Sequence, residues 1–143
     1  GKLILSSNTI SSCSRAIILS SKVKGTVYPN TFKKNTYNNV KVNSSYVNTL
    51  TVKSLSGKSK SAKTATLNWK KLSSASGYVV YRSASKNGSY TKISTIKKNK
   101  TITYKDSKLK RKSTYYYKIV PYTTIGKTTV YGLDSKIVSI KIK

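Results

Sequence analysis

The sequence predicts an all-β protein whose main part is a sandwich of antiparallel strands. Apolar residues alternate with polar ones along much of the chain, and no stretch has the three-and-four spacing of an amphipathic helix. From residue 46 onward, Gly-, Ser-, Asn- and Lys-rich breaks separate seven alternating segments within residues 46–143. That density of strands is typical of a β-sandwich.

The first four predicted strands follow from alternation and turn residues. Residues 49–55 form the first strand, and the polar residues 57–61 separate it from the second. The dipeptide Asn87-Gly88 predicts the turn of a hairpin between the third and fourth strands. The inward-facing residues of the second and third strands are Ala65, Leu67, Trp69, Tyr78 and Val80. The fourth strand carries Tyr90, Ile93 and Ile96.

The last three predicted strands are separated by basic turns at residues 97–100 and 110–112 and by a tight turn at Gly126-Lys127. Their outward positions carry lysines such as Lys141, because side chains of a strand alternate between core and solvent. Their inward-facing residues are Tyr104, Tyr115, Tyr117, Ile119, Val138, Ile140 and Ile142, and Ile102 lies in the same strand as Tyr104.

Three motifs give these strands a family resemblance. Leu67-Asn68-Trp69 lies in the second strand, the segment from Tyr104 to Leu109 reads YKDSKL, and Tyr115 follows Leu109 by six positions. Residues 46–143 resemble the fibronectin type III domains found in tandem on Gram-positive bacterial surface and carbohydrate-degrading proteins. The resemblance implies a seven-stranded antiparallel immunoglobulin-like sandwich with a tyrosine corner, in which the Tyr115 phenol bonds the main chain near the preceding turn. The chain departs from the family at Pro121, where a small residue is usual, and it has no Arg-Gly-Asp tripeptide.

Together, alternation and the resemblance predict a core for this sandwich. Trp69 and Leu109 hold it together with the inward residues of the neighbouring strands. The predicted core residues are Leu67, Trp69, Tyr78, Val80, Tyr104, Leu109, Tyr115, Tyr117 and Ile119.

Residues 1–45 form a short β-rich N-terminal segment in this interpretation. Its apolar clusters, around Leu3, Ile17 and Val40, are too short for a core of their own. A weak internal similarity relates residues 17–42 to residues 119–142, with Gly25 near the position of Gly126. The segment is therefore predicted to be half of a preceding sandwich or an arm that exchanges strands with another subunit.

Composition argues against catalysis. The chain has 29 Lys and Arg against 2 Asp and Glu, no His, and a formal net charge of +27. General acid–base chemistry needs His, a carboxylate or a tuned Lys near the reacting proton, and Asp106 and Asp134 form no convincing pair. We expect Asp106 to bond local backbone amides and Asp134 to lie in a loop. With one Cys and two Asp, neither zinc nor a hard cation finds enough ligands, so no enzyme activity, cofactor or metal is predicted.

The basic residues predict attraction to a polyanion. Only three are Arg, and the lysines are spread over nearly every turn and outward strand position. Lys supplies charge without the bidentate geometry with which Arg reads phosphate or guanine. The expected partners are therefore an anionic surface polymer or polysaccharide and neighbouring protein domains or subunits, and less so nucleic acid.

An aromatic-basic patch is the one candidate ligand site. Tyr81 and Tyr116 are predicted on facing strands of one sheet, beside Lys118. An exposed phenol offers a flat face with a polar edge to a sugar ring. The sequence therefore places a possible ligand patch at Tyr81, Tyr116 and Lys118.

The leading functional interpretation is a non-catalytic extracellular module that spaces or anchors partner domains at a cell surface, with weak polyanion or glycan contact. The first alternative is a structural subunit of a phage particle or surface filament whose N-terminal strands pair with a neighbour. The second is a nonspecific nucleic-acid binder. The longest apolar runs, such as residues 16–19, are far shorter than the roughly 20 residues of a membrane-spanning helix.

Overall fold

A computed structural model describes residues 50–143 in full and, before them, the backbone of strands within residues 3–5, 9–11, 17–19, 25–27, 31–33, 40–42 and 45–47. The chain folds into two compact units. The N-terminal unit comprises Gly1–Leu50 and Tyr122–Leu133, and the sandwich unit comprises Thr51–Pro121 and Asp134–Lys143. The sequence predicted a division after residue 45 and did not predict that residues 122–133 group with the N-terminal segment.

Seven short strands begin the N-terminal unit. They are β1 (Leu3–Leu5), β2 (Thr9–Ser11), β3 (Ile17–Leu19), β4 (Gly25–Val27), β5 (Thr31–Lys33), β6 (Val40–Val42) and β7 (Ser45–Val47). Eight further strands follow. They are β8 (Leu55–Lys58), β9 (Ala65–Trp69), β10 (Gly77–Ser83), β11 (Thr91–Ile96), β12 (Thr103–Asp106), β13 (Thr114–Ile125), β14 (Thr128–Tyr131) and β15 (Val138–Lys141).

The first six strands pair in parallel at an almost constant spacing. β1 pairs with β4, β2 with β5 and β3 with β6, and the paired residues lie 22 or 23 positions apart in the chain. Parallel strands repeated at one spacing are typical of a solenoid coil. A sandwich, in contrast, pairs its strands antiparallel, so these six strands differ from the half-sandwich that the internal similarity predicted.

Strand β14 of the hairpin β13–β14 extends the sheet formed by β1 and β4. β14 pairs in parallel with β4, while its other edge pairs antiparallel with Tyr122–Ile125 of β13. The tight turn predicted at Gly126-Lys127 joins the two strands, and Gly126 takes a left-handed φ of 57°, which glycine adopts at little cost. The N-terminal strands thus pair with a hairpin of their own chain.

Two antiparallel sheets form the sandwich unit. One sheet has the order β12-β9-β8, and the other places β10 between β11 and β13, with β15 paired to β13. The predicted all-β antiparallel sandwich is confirmed. Residues 55–141 contain eight strands rather than seven, because the segment after Pro121 forms the additional β14.

The first strand of the sandwich lies later than predicted. β8 covers Leu55–Lys58 and runs through Gly57, which the sequence assigned to a break. A Cβ at Gly57 would collide with the side chains of Ile140 and Leu67. The glycine is therefore a close-packed strand position.

Burial of the predicted core residues is uneven. Trp69 packs edge-on against Tyr78, with ring centroids 5.4 Å apart. Tyr104 and Tyr115 are only half-buried. The predicted residues that are buried are Leu67, Trp69, Tyr78, Val80, Leu109, Tyr117 and Ile119.

Within the residues described, no helix has the length and apolarity needed to cross a membrane.

Candidate functional site

The tyrosine corner forms as predicted. The Lys110 N–H donates to the Tyr115 Oη over 3.3 Å, so the phenol bonds the main chain of the turn that precedes its strand. This explains why Tyr115 stays half-buried, since its hydroxyl has to reach a surface turn.

Asp106 lies in a buried cluster that joins the two sheets. It ends β12 in one sheet, whereas Arg82 in β10 and Tyr117 in β13 belong to the other. Arg82 Nη1 lies 3.0 Å from Asp106 Oδ2, and Tyr117 Oη donates to the same oxygen over 2.9 Å. The sequence predicted bonds to local backbone amides; instead the carboxylate takes partners 24 and 11 positions away in sequence.

The electrostatics of this cluster hold Tyr117 in its neutral form. Burial raises the pKa of the Tyr117 phenol, and the charge of Asp106 and the hydrogen bond to it raise it further. The Arg82 guanidinium also lies over the Tyr115 ring, 5.4 Å from its centroid, a cation–π distance. These groups are occupied with one another and are suited to fixing the sandwich.

The structure assembles the predicted aromatic-basic patch and extends it. Lys118 Nζ lies 5.6 Å from the Tyr81 ring centroid and 4.8 Å from that of Tyr90. Burial raises the pKa of Tyr90, and the nearby Tyr116 and Asp134 raise it further. Tyr81 follows a register shift in the pairing of β10 with β11, and such a bulge re-aims a side chain.

The cation of this patch already has a carboxylate partner. Lys118 Nζ and Asp134 Oδ2 are 2.7 Å apart, with 53% of the Asp134 side chain exposed. The Tyr90 hydroxyl donates to the Lys86 carbonyl over 3.0 Å. Sequence reasoning missed Tyr90 and Asp134, because Tyr90 was assigned only to a strand and the contact of Asp134 spans 16 positions.

A second feature, the basic groove, lies where two loops of the sandwich meet. Its volume is about 700 Å³, and it is lined by Lys63, Lys108, Leu109, Lys110, Arg111 and Tyr115. The Leu109 N–H donates to the Lys63 carbonyl over 3.0 Å, which joins the loop before β9 to the loop before β13. The sequence marked residues 110–112 as a basic turn but could not bring Lys63 to it, since they lie about 47 positions apart.

Among the residues that are described, no group of three His, Cys, Asp or Glu side chains is placed to hold a metal ion.

Comparison with known proteins identifies the fold of the sandwich. A Fn3-like protein from Clostridium thermocellum is 29% identical, with a TM-score of 0.54, over 63% of this chain and 88% of that one. The sixth fibronectin type III domain of human fibronectin type III domain containing protein 3 is 19% identical, with a TM-score of 0.54, over 67% of this chain and 87% of that one. The FN1–FN3 domains of chicken CNTN1 are 17% identical, with a TM-score of 0.56, over 80% of this chain but only 33% of that one.

These similarities and the tyrosine corner agree that the sandwich has the fibronectin type III fold, as the sequence motifs predicted. No family model matches the sequence, and no curated protein matches it. The fold supports a non-catalytic structural module, and fold alone does not define a ligand.

Proposed function

We propose that this chain is a non-catalytic structural and adhesive module at the outer surface of a cell. In this proposal the sandwich spaces or anchors neighbouring protein domains. Its lysines make weak contact with an anionic surface polymer or polysaccharide.

The observation that carries the proposal is the commitment of both carboxylates to ion pairs. Asp106 pairs with Arg82 and Asp134 with Lys118, at 3.0 and 2.7 Å. Because the chain has no other acidic side chain, most of its cations have no carboxylate to neutralise them. The resulting positive field attracts polyanions and weakens as salt screens it.

The mechanical part of the proposal is supported by the Asp106 cluster. The cluster links the two sheets of the sandwich through side chains, in addition to the apolar core between them.

Binding of the intact chain to an anionic polysaccharide tests the adhesive part. We expect an immobilised polygalacturonate to retain the chain at low salt and release it as salt rises, while a neutral galactan of equal length retains little. Equal retention by the two polymers would overturn polyanion contact in favour of neutral glycan stacking. Failure of both to retain the chain at low salt would overturn the adhesive role and leave a spacer alone.

A further inference from the structure

We infer that the basic groove is a specific binding site for an acidic polysaccharide. This inference rests on the proposed polyanion contact and localises it, whereas the proposal itself needs only a general positive field.

Main-chain hydrogen bonds fix the loops that form the groove. Besides the Leu109–Lys63 bond, the Lys112 N–H donates to the Ile142 carbonyl and the Ile142 N–H donates to the Ser113 carbonyl, both over 2.9 Å. The tyrosine corner adds the bond between Lys110 and Tyr115. The cations of the groove therefore project from an ordered backbone, which lowers the entropy lost on binding.

No side-chain carboxylate lines the groove. Lys63, Lys108, Lys110 and Arg111 are all exposed. Neither carboxylate of the chain neutralises them, because Asp106 pairs with Arg82 and Asp134 with Lys118. Four cations therefore line one groove, which favours an anionic ligand.

Backbone strain coincides with this charge. The non-glycine residues with left-handed φ in the described part of the chain are Lys63, Lys108 and Lys112, at 59°, 60° and 61°. Glycine or asparagine adopts this conformation more readily than lysine. All three lysines lie in the two loops of the groove, so cationic side chains occupy positions where the backbone alone favours glycine. Strain of this kind gathers at ligand-binding sites.

The floor of the groove favours a sugar polymer over other polyanions. Leu109 is buried whereas Tyr115 is half-buried, so the apolar and aromatic surface that the groove offers comes mainly from this one tyrosine. The C–H face of a sugar ring packs on such a surface while its carboxylate or sulfate groups meet the ammonium groups. A single strand of nucleic acid instead needs successive aromatic platforms for its bases, and the groove has one tyrosine.

Matched double variants test the site with the intact chain. Lys110→Gln with Arg111→Gln removes two charges from the groove, and Lys97→Gln with Lys98→Gln removes two from an exposed turn elsewhere. Binding of a galacturonic acid decamer would be measured by calorimetry at constant low salt. We expect the groove variant to lose at least tenfold in affinity and the control less than threefold. Equal losses would overturn the site while leaving general polyanion attraction intact.

A second variant separates binding from folding. Lys63→Gly with Lys108→Gly removes two groove cations and relieves two left-handed lysines, so we expect the melting temperature to hold or rise while decamer affinity falls at least tenfold. Unchanged affinity in this variant would contradict the inference. A ten-nucleotide single-stranded DNA, tested in parallel, should bind more weakly than the decamer and lose little in the groove variants. DNA binding that is tighter and groove-dependent would overturn the assignment to a polysaccharide.

Discussion

The two carboxylates of the sandwich lie in contrasting surroundings. The Asp106 side chain is 8% exposed and meets Arg82 and Tyr117 across the two sheets, whereas the Asp134 side chain is 53% exposed and meets Lys118 of β13 near the surface. Both ion pairs are short, but burial changes their role, because removing one partner of a buried pair leaves a charge without compensation. The ion pair of Asp106 therefore stabilises the fold, whereas the ion pair of Asp134 orients side chains near the surface.

Removing the buried carboxylate should have the largest effect. Asp106→Ala leaves the Arg82 charge and the Tyr117 hydroxyl without their shared partner, and we expect the free energy of unfolding to fall by about 2–4 kcal/mol. This loss is somewhat smaller than the roughly 3–5 kcal/mol typical of a broken buried ion pair, because the Arg82 side chain remains 34% exposed. Urea denaturation measures it. A loss under 1 kcal/mol would mean that the cluster does not hold the sheets together.

The loss of stability at high pH should depend more on Tyr117, beside Asp106, than on Tyr90, beside Lys118. The raised pKa of Tyr117 keeps its proton on the folded state, while the unfolded state releases it near pH 10. Below pH 10 the Tyr117 phenol is protonated in both the folded and the unfolded state, so it does not change stability. Above pH 10 this one group lowers the free energy of unfolding by about 1.4 kcal/mol per pH unit.

The matched variants for this prediction are Tyr117→Phe and Tyr90→Phe. Lysines and the other tyrosines titrate in the same range in every variant, so the difference from the parent chain isolates one phenol. Stability should fall less steeply between pH 10 and 11 in Tyr117→Phe than in the parent. Tyr90→Phe should change the slope in the same direction but by less, because the pKa of Tyr90 is raised at a less buried site. Parallel curves for all three proteins would contradict the buried role of Tyr117.

The tyrosine corner should have an intermediate effect. Tyr115→Phe keeps the ring beneath Arg82 and removes the acceptor for the Lys110 N–H, which costs about 1 kcal/mol for one hydrogen bond at a partly exposed site. Chemical denaturation gives the value, and hydrogen exchange of the Lys110 amide should accelerate. Unchanged exchange at Lys110 would show that the phenol does not bond this turn.

The exposed pair should have the smallest effect. Asp134→Ala frees Lys118 at a solvated site, and we expect a change in the free energy of unfolding below about 1 kcal/mol. Comparison with Asp106→Ala under identical conditions gives the contrast directly. If the two variants lost the same stability, burial would not explain the difference between the sites.

Most of the sandwich could be predicted because its signals are local. Alternation in β9 and β13 assigns inward faces, and the six-residue spacing from Leu109 to Tyr115 predicts the tyrosine corner. The partners of Asp106 and the meeting of Lys63 with Lys110 depend on tertiary contacts that no local pattern encodes. The aromatic-basic patch was predicted only in part, because Tyr90 lies just before β11, in a loop longer than the two-residue turn expected at Asn87-Gly88.

The N-terminal coil could not be predicted for a different reason. Three-residue strands such as β1 and β4 carry too few side chains to specify direction or register. Their parallel pairing becomes evident only through the constant spacing between partners and through β14, which lies about a hundred positions later in the chain.

The central claim is that the N-terminal strand β4 pairs with β14 of its own chain. The most direct test is the solution mass of the intact chain, measured by size-exclusion chromatography with light scattering at moderate salt over a hundredfold range of concentration. We expect a monomer of 15.8 kDa throughout. A mass that rises with concentration would contradict the module and support a subunit that shares its strands with neighbours.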